Sequence, residues 1–107
     1  MKRGLIIVLL AFALFISGCG THSDPGLTSK ERVCVDLCVE SGLDLNDGPC
    51  LSDNNPDWIY DDWVCDVAHE PRIDVDDLPE NQCEEFRNGL ANHFIEVDPG
   101  CNLIISM

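Results

Sequence analysis

Residues 28–41, with the sequence TSKERVCVDLCVES, carry the pattern that decides the fold. Thr28 and Glu31 have the spacing of a capping box, in which each side chain accepts a hydrogen bond from the other residue's backbone N–H. Apolar residues and cysteines then recur at three- and four-residue intervals, which is the period of one helix face. The segment therefore predicts a helix that ends at about Gly42 and places Cys34 and Cys38 on its buried side.

The chain after this helix predicts loop, strand and a second, shorter helix. Residues 43–57 are rich in turn formers, and residues 58–68 partly follow the alternation of a strand. Residues 79–88 begin with a proline and are followed by Gly89, which is typical of a short helix. Strand-like residues 94–97 and 103–105 flank Asp98-Pro99-Gly100, which predicts a C-terminal antiparallel β-hairpin. We expect a small disulfide-stapled α+β domain with one longer helix, one short helix and a few antiparallel strands.

The first 19 residues have the pattern of an export signal. Lys2 and Arg3 precede an apolar run over residues 5–16, which is shorter than the roughly 20 residues that span a bilayer as a helix. The run ends in Ile16-Ser17-Gly18-Cys19, which resembles the lipobox of prokaryotic lipoproteins. The resemblance implies cleavage before Cys19 and attachment of a diacylglycerol to its sulfur. The alternatives are an ordinary cleaved signal and a retained anchor.

This resemblance also implies how the chain is organised. Residues 1–18 would be a lipoprotein signal peptide, residues 19–28 a lipidated N-terminus and tether, and residues 29–107 a cysteine-rich extracytoplasmic domain. Acyl chains on Cys19 would hold the protein to the cell membrane or the outer membrane without spanning it. The expected location is therefore the cell envelope, outside the reducing cytosol.

Six of the seven cysteines remain after Cys19 is set aside. An even number of cysteines in a small exported domain predicts three disulfides, formed among Cys34, Cys38, Cys50, Cys65, Cys83 and Cys101. The connectivity stays open, but parallel side chains on one helix face favour different distant partners for the first two cysteines. The alternative is a zinc site, because a Cys-x3-Cys and a Cys-x3-His pair supply four ligands: Cys34, Cys38, Cys65 and His69.

The charge of the chain excludes one class of partner and raises the question of another. Six Lys and Arg stand against 20 Asp and Glu, for a formal charge of −14. Nucleic-acid binding is not expected, because phosphate contacts need basic side chains. Two acidic groups are candidate calcium ligands, since oxygen-rich clusters suit that ion. The first comprises Asp53, Asp57, Asp61 and Asp62, and the second Asp74, Asp76, Asp77 and Glu80. The alternative is a solvated acidic surface.

Three aromatic residues, Trp58, Tyr60 and Trp63, cluster beside these aspartates. They are candidates for the core, which a small domain must fill. They are also candidates for a binding patch, since Trp and Tyr anchor many interfaces. The surrounding acids would then favour a basic protein or a glycan as the partner.

The segment Asp66 to Arg72 is the most enzyme-like part of the sequence. An acid–base site can be drawn from His69 with Asp66 or Glu70, but no nucleophile motif accompanies it. We therefore expect a non-enzymatic, membrane-anchored acidic binding module with no cofactor, or with calcium. The alternatives are a structural component of the cell envelope and, less favoured, a small hydrolase that uses His69.

Overall fold

The computed structural model describes residues 26–107 of the chain. Its regular elements are the helix α1 (Ser29–Glu40), the strand β1 (Trp63–Val67), the short helix α2 (Glu84–Arg87), and the strands β2 (His93–Val97) and β3 (Leu103–Ser106). Three 3-10 turns lie at Leu45–Asp47, Asp74–Asp77 and Pro79–Asn81. The expected α+β class is confirmed. The predicted signal peptide and Cys19 lie outside the described residues.

Helix α1 begins and ends where the sequence predicts. The Thr28 hydroxyl accepts a hydrogen bond from the Glu31 N–H at 3.2 Å, and the Glu31 carboxylate accepts one from the Thr28 N–H at 3.0 Å. Gly42 follows the helix with a φ of 70°, a left-handed conformation in which a side chain would be strained. The capping box and the glycine thus set the two ends of α1 by local chemistry.

The sheet has the order β1-β2-β3, with β2 in the centre. The hairpin prediction is borne out in part: β2 and β3 are antiparallel, with a register shift between Glu96 and Val97. The expectation that all strands are antiparallel is wrong, because β1 pairs with β2 in parallel, from Trp63 beside His93 to Val67 beside Val97. A long connection over residues 68–92 makes this parallel return possible.

Strand β1 is shorter than predicted, because the residues before it turn tightly. The N–H groups of Trp58 and Trp63 each donate to a carbonyl three residues earlier, on Asn55 and Tyr60, at 3.1 Å. The outer edge of β1 is partly covered by the loop before it, since the Leu51 N–H donates to the Cys65 carbonyl at 2.8 Å.

The sheet is packed on both faces. Alternate residues of β1 and β2, namely Cys65, Val67, Ile95 and Val97, lie against α1 and form the main core. Val64 on the other face packs with Cys83 and Ala91 in a smaller second cluster. The domain therefore has a helix on one side of its sheet and a disulfide-held loop with α2 on the other.

All six remaining cysteines form disulfides, as the sequence predicts. The bonds are Cys34–Cys65, Cys38–Cys101 and Cys50–Cys83. The two cysteines of α1 have different distant partners, which confirms the expectation from helix geometry. The first bond joins α1 to β1, the second joins α1 to the turn before β3, and the third holds the loop against the opposite face.

The second predicted helix, over residues 79–88, is interrupted. A 3-10 turn at Pro79–Asn81 is separated from α2 by Gln82 and Cys83, whose ψ angles of 151° and 124° are extended. Cys83 is fixed by its bond to Cys50, and the Asp53 carboxylate accepts the Glu84 N–H at 2.8 Å. The disulfide and this hydrogen bond together fix the first residue of α2 at Glu84. The predicted end at Gly89 is in place, with a φ of 78°.

Candidate functional site

The three clustered aromatic residues take different positions. The Trp58 indole N–H donates to the carbonyls of Trp63 and Tyr60, at 2.9 and 3.2 Å, and its ring lies edge-on to Tyr60 at 5.0 Å. The Trp63 ring instead stacks on His93, with 4.5 Å between ring centroids, and packs against the main core. Trp58 contributes both to the core and to a surface cleft, whereas Trp63 does not line that cleft.

A cleft of about 390 Å³ opens beside Trp58 and Tyr60. We call it the aromatic cleft, and it is lined by Ser52, Asn54, Asn55, Pro56, Trp58, Tyr60, Asp61 and Glu85. None of these lining residues, all within the described range, carries a positive charge. The volume falls within the roughly 300–1,000 Å³ of small-molecule sites. Aromatic rings, amides and two carboxylates together suit a cationic or hydroxyl-rich ligand.

The aromatic surface next to the cleft already accommodates an ammonium group. The Lys30 Nζ lies 5.0 Å from the centroid of the Trp63 ring and 5.8 Å from that of Tyr60. Both distances are within the range in which an aromatic ring attracts a cation. One cation, supplied by α1, therefore already lies beside the rings of Tyr60 and Trp63.

The four aspartates of the first acidic group have different surroundings. The carboxylate of Asp53 caps α2, as described above. That of Asp62 accepts hydrogen bonds from the Asn92 backbone and side chain, at 3.1 and 3.0 Å. Asp57 and Asp61 are exposed, and Asp61 lines the aromatic cleft. Calcium binding by this group stays a prediction, and one oxygen of each of the Asp53 and Asp62 carboxylates already accepts hydrogen bonds.

We expect the melting temperature to rise with ionic strength and to be the same in calcium chloride as in sodium chloride of matched ionic strength. Screening relieves repulsion among carboxylates in the folded state, whichever salt supplies the ions. A specific calcium site would add roughly 2.7 kcal/mol at a hundredfold excess over its Kd, or a rise of about 10 °C or more for a domain of this size. A calcium-specific rise that Asp57→Asn with Asp61→Asn abolishes would contradict the expectation and place the ion in the first acidic group.

In the second acidic group, Asp76 is a buried structural centre. Its carboxylate accepts the N–H groups of His69 and Ile73, at 3.0 and 2.9 Å, and lies 2.9 Å from the His69 Nδ1. Burial would raise the pKa of Asp76, but these hydrogen bonds and the His69 imidazole hold it below its ordinary value. A Cβ on Gly48 would lie 2.7 Å from the Asp76 Oδ1. The loop that contains Gly48 therefore packs closely against the Asp76 carboxylate.

The remaining members of that group are at the surface. Asp77 pairs with the Arg72 Nε at 3.2 Å, and Asp74 and Glu80 are exposed. The predicted acid–base site paired His69 with Asp66 or Glu70. The carboxylate that lies within hydrogen-bond distance of the His69 ring is instead that of Asp76. A buried carboxylate that orients an imidazole is a feature of catalytic sites, but here the same carboxylate also closes the loop over residues 69–73.

The cysteines are not available as metal ligands. Cys34 and Cys65 are bonded to each other and Cys38 to Cys101, so the proposed zinc set with His69 loses its three thiolates. Among residues 26–107, three potential ligands come within 4.8 Å of one another at Cys50, Asp53 and Cys83. Since Cys50 and Cys83 also share a disulfide, this cluster offers one carboxylate and no thiolate.

A second cavity, which the sequence does not indicate, lies on the sheet face opposite α1. Its volume is about 240 Å³, and its walls include Val64, Phe86, Phe94, Arg72 and Glu96. Phe86 is 41% exposed, and its ring lies edge-on to Phe94, with 5.4 Å between the ring centroids. We call this the sheet-face cavity.

Asp66 does not line this cavity, although strand alternation places it on the same face of β1 as Val64. The residue is 9% exposed, and its Oδ1 is buried without a hydrogen-bond partner in the described part of the chain. Burial, together with the negative charge of Glu96 beside it, raises the pKa of Asp66 to about 8. The Arg72 guanidinium opposes this shift but does not cancel it. At neutral pH the Asp66 carboxyl group is therefore mostly protonated.

Comparison with protein-family models, with curated proteins and with solved structures gave no match to this chain. Within residues 26–107, no helix has both the length and the apolar character needed to cross a bilayer. The aromatic cleft and the sheet-face cavity are therefore the candidate sites.

Proposed function

We propose that the protein is an extracytoplasmic lipoprotein, anchored by Cys19, whose aromatic cleft binds a basic segment of a partner protein. The proposal that the cleft binds a basic segment rests on the residues that line it. Trp58 and Tyr60 offer aromatic surface, and Asp61 and Glu85 offer two carboxylates. Side chains of Lys or Arg match both features, since the stem packs on a ring and the charged end meets a carboxylate.

The charge of the whole chain favours the same class of partner. A formal charge of −14 produces a field that attracts cationic ligands and raises their association rate. A glycan would use the aromatic rings and amides of the cleft, but it would gain nothing from this field. A basic partner is therefore preferred over a glycan.

The anchor part of the proposal rests on the lipobox-like residues and on the disulfides. Three disulfides among residues 34–101 are typical of oxidising compartments outside the cytosol. A lipidated Cys19 would tether the acidic domain at a membrane surface. The partner would then be another protein of the envelope or the extracellular space.

We expect wild-type protein expressed in bacteria to incorporate labelled palmitate and to sediment with membranes. The Cys19→Ser variant should lose the label, because the sulfur that carries the lipid is absent. Gel autoradiography and membrane fractionation measure the two effects. Label retained by the variant, or never taken up by the wild type, would show that the anchor assignment is wrong.

We expect a peptide rich in Lys and Arg to bind the full chain and to lose at least tenfold in affinity when Asp61→Asn is combined with Glu85→Gln. A tenfold loss is about 1.4 kcal/mol, which is reasonable for two carboxylates that meet a basic side chain directly. Fluorescence anisotropy at a fixed salt concentration measures the Kd.

The matched control removes two charges elsewhere. Asp36 and Glu40 are exposed on α1 and do not line the cleft, so Asp36→Asn with Glu40→Gln should change the Kd by less than twofold. Equal losses in the two double variants would mean that the peptide binds the acidic surface diffusely and that the cleft is not the site. Tighter binding of a neutral oligosaccharide than of the peptide would also contradict the proposal.

A further inference from the structure

The short helix α2 lies between the aromatic cleft and the sheet-face cavity. Glu85 lines the cleft, and the next residue, Phe86, lines the cavity. Consecutive side chains of a helix project about 100° apart, so a single turn presents a carboxylate to one cavity and an aromatic ring to the other. The two cavities are therefore neighbours across α2, although they share no lining residue.

The walls of the sheet-face cavity favour an uncharged apolar group. Val64, Phe86 and Phe94 supply apolar surface. The two charged residues in the walls neutralise each other, because the Arg72 guanidinium donates to the Glu96 carboxylate at 2.8 Å. The volume of about 240 Å³ is below the roughly 300–1,000 Å³ of sites for drug-sized ligands. A single large side chain fits such a cavity better than a whole small-molecule ligand does.

Helix α2 is held in place at both ends. Cys83, directly before it, is part of a disulfide, and the N–H groups of Leu90 and Ala91 both donate to the Glu85 carbonyl, at 2.8 and 3.1 Å. A helix of four residues is not stable by itself, so these contacts fix Glu85 and Phe86 relative to the sheet. A surface that is already ordered loses little conformational freedom when a partner binds.

We propose that the basic segment bound by the aromatic cleft also inserts a large apolar side chain into the sheet-face cavity. This inference rests on the proposed function, because it takes the occupant of the cavity to be a continuation of the same segment. The position of the two cavities on either side of α2 supports this occupant. Phe86, which is 41% exposed, is the surface that the inserted side chain buries. Aromatic residues that line pockets are typical anchors of protein interfaces.

The width of α2 sets the spacing of the two side chains in the partner. A helix with its side chains is about 10 Å across, and an extended chain advances about 3.3 Å per residue. A segment that crosses α2 in an extended conformation therefore places its apolar residue about three positions from its Lys or Arg.

The test uses the full chain and two fluorescent peptides of equal length and charge. The first has two arginines, then two glycines and a phenylalanine, and the second has alanine in place of the phenylalanine. Anisotropy at a fixed salt concentration measures the Kd. We expect the first peptide to bind the wild type at least tenfold more tightly than the second. With Phe86→Ala the two peptides should bind alike, within twofold. The second peptide should keep its wild-type Kd, which also shows that the variant is folded.

Leu90→Ala is the matched control. Leu90 is 70% exposed and lines neither cavity, so its removal should leave the tenfold difference unchanged. Equal binding of both peptides to the wild type, still weakened by Asp61→Asn with Glu85→Gln, would overturn this inference and leave the proposed function standing. Failure of both peptides to bind would overturn both. A difference that persists in Phe86→Ala, or disappears in Leu90→Ala, would show that the phenylalanine binds elsewhere and that the inference is wrong.

Discussion

Replacing Cys34 and Cys65 by alanine is expected to destabilise the domain more than removing either of the other two disulfides. A crosslink of this span contributes about 3–4 kcal/mol by restricting the unfolded chain. Both sulfurs are also fully buried, at 0% exposure, between α1 and β1. Their removal leaves a cavity in the main core, which costs further stability.

Loop length alone would give the opposite ranking. The Cys38–Cys101 bond spans 63 residues and the Cys34–Cys65 bond spans 31. A twofold difference in loop length amounts to only about 0.6 kcal/mol, which is less than the cost expected for emptying a core position. Urea denaturation of the three double-alanine variants compares these costs directly. A larger loss for Cys38→Ala with Cys101→Ala would show that loop entropy outweighs core packing here.

Asp66→Asn is expected to stabilise the protein at pH 8, by an amount on the order of 5 kcal/mol. Each unit of pKa difference between the folded and unfolded states corresponds to about 1.4 kcal/mol. Burial and the charge of Glu96 raise the pKa of Asp66 from 3.8 to about 8 in the folded protein. Asparagine has nearly the same shape and does not ionise, so the variant avoids this cost.

The sign of the effect sets the pH window in which it is measured. Between about pH 4 and pH 8 the folded protein holds a proton on Asp66 that the unfolded chain has lost, so stability falls as pH rises. The advantage of the variant should therefore shrink by about 1.4 kcal/mol for each unit of decreasing pH and vanish near pH 4. The lowered pKa of Asp76 acts in the opposite sense, since its contribution is lost as pH falls below 3.8.

Urea midpoints of the wild type, Asp66→Asn and Asp36→Asn at pH 5 and pH 8 measure this dependence. Asp36→Asn removes one exposed carboxylate and controls for general charge repulsion. A pH-independent difference between Asp66→Asn and the wild type would mean that Asp66 is ionised in the folded protein.

The candidate sites were only partly predictable. The sequence indicated that Trp58 and Tyr60 belong together with Asp61, because they are close in the chain and share one loop. It did not indicate that Glu85, from α2, completes the cleft. The sheet-face cavity brings Arg72, Phe86 and Glu96 together from three separate segments, and no local pattern relates them.

Features that depend on neighbours along the chain could be predicted from the residues alone. Helix α1 follows from the Thr28–Glu31 capping box and Gly42, and the hairpin turn follows from Asp98, whose carboxylate accepts the Gly100 N–H at 2.9 Å. The oxidised state of the cysteines follows from their even number in a small chain whose first residues predict an export signal. These interactions span only a few residues, or depend on composition, and so are visible in the sequence.

Features that join distant segments became visible in the folded structure. It set the parallel pairing of β1 with β2, the three cysteine partners and the choice of Asp76 as the carboxylate bonded to His69. It also placed Asp66 beside Glu96 on a buried face, which shifts the Asp66 pKa. The physical reason is that burial and charge pairing depend on distances in space. Folding brings together residues that are far apart in the sequence.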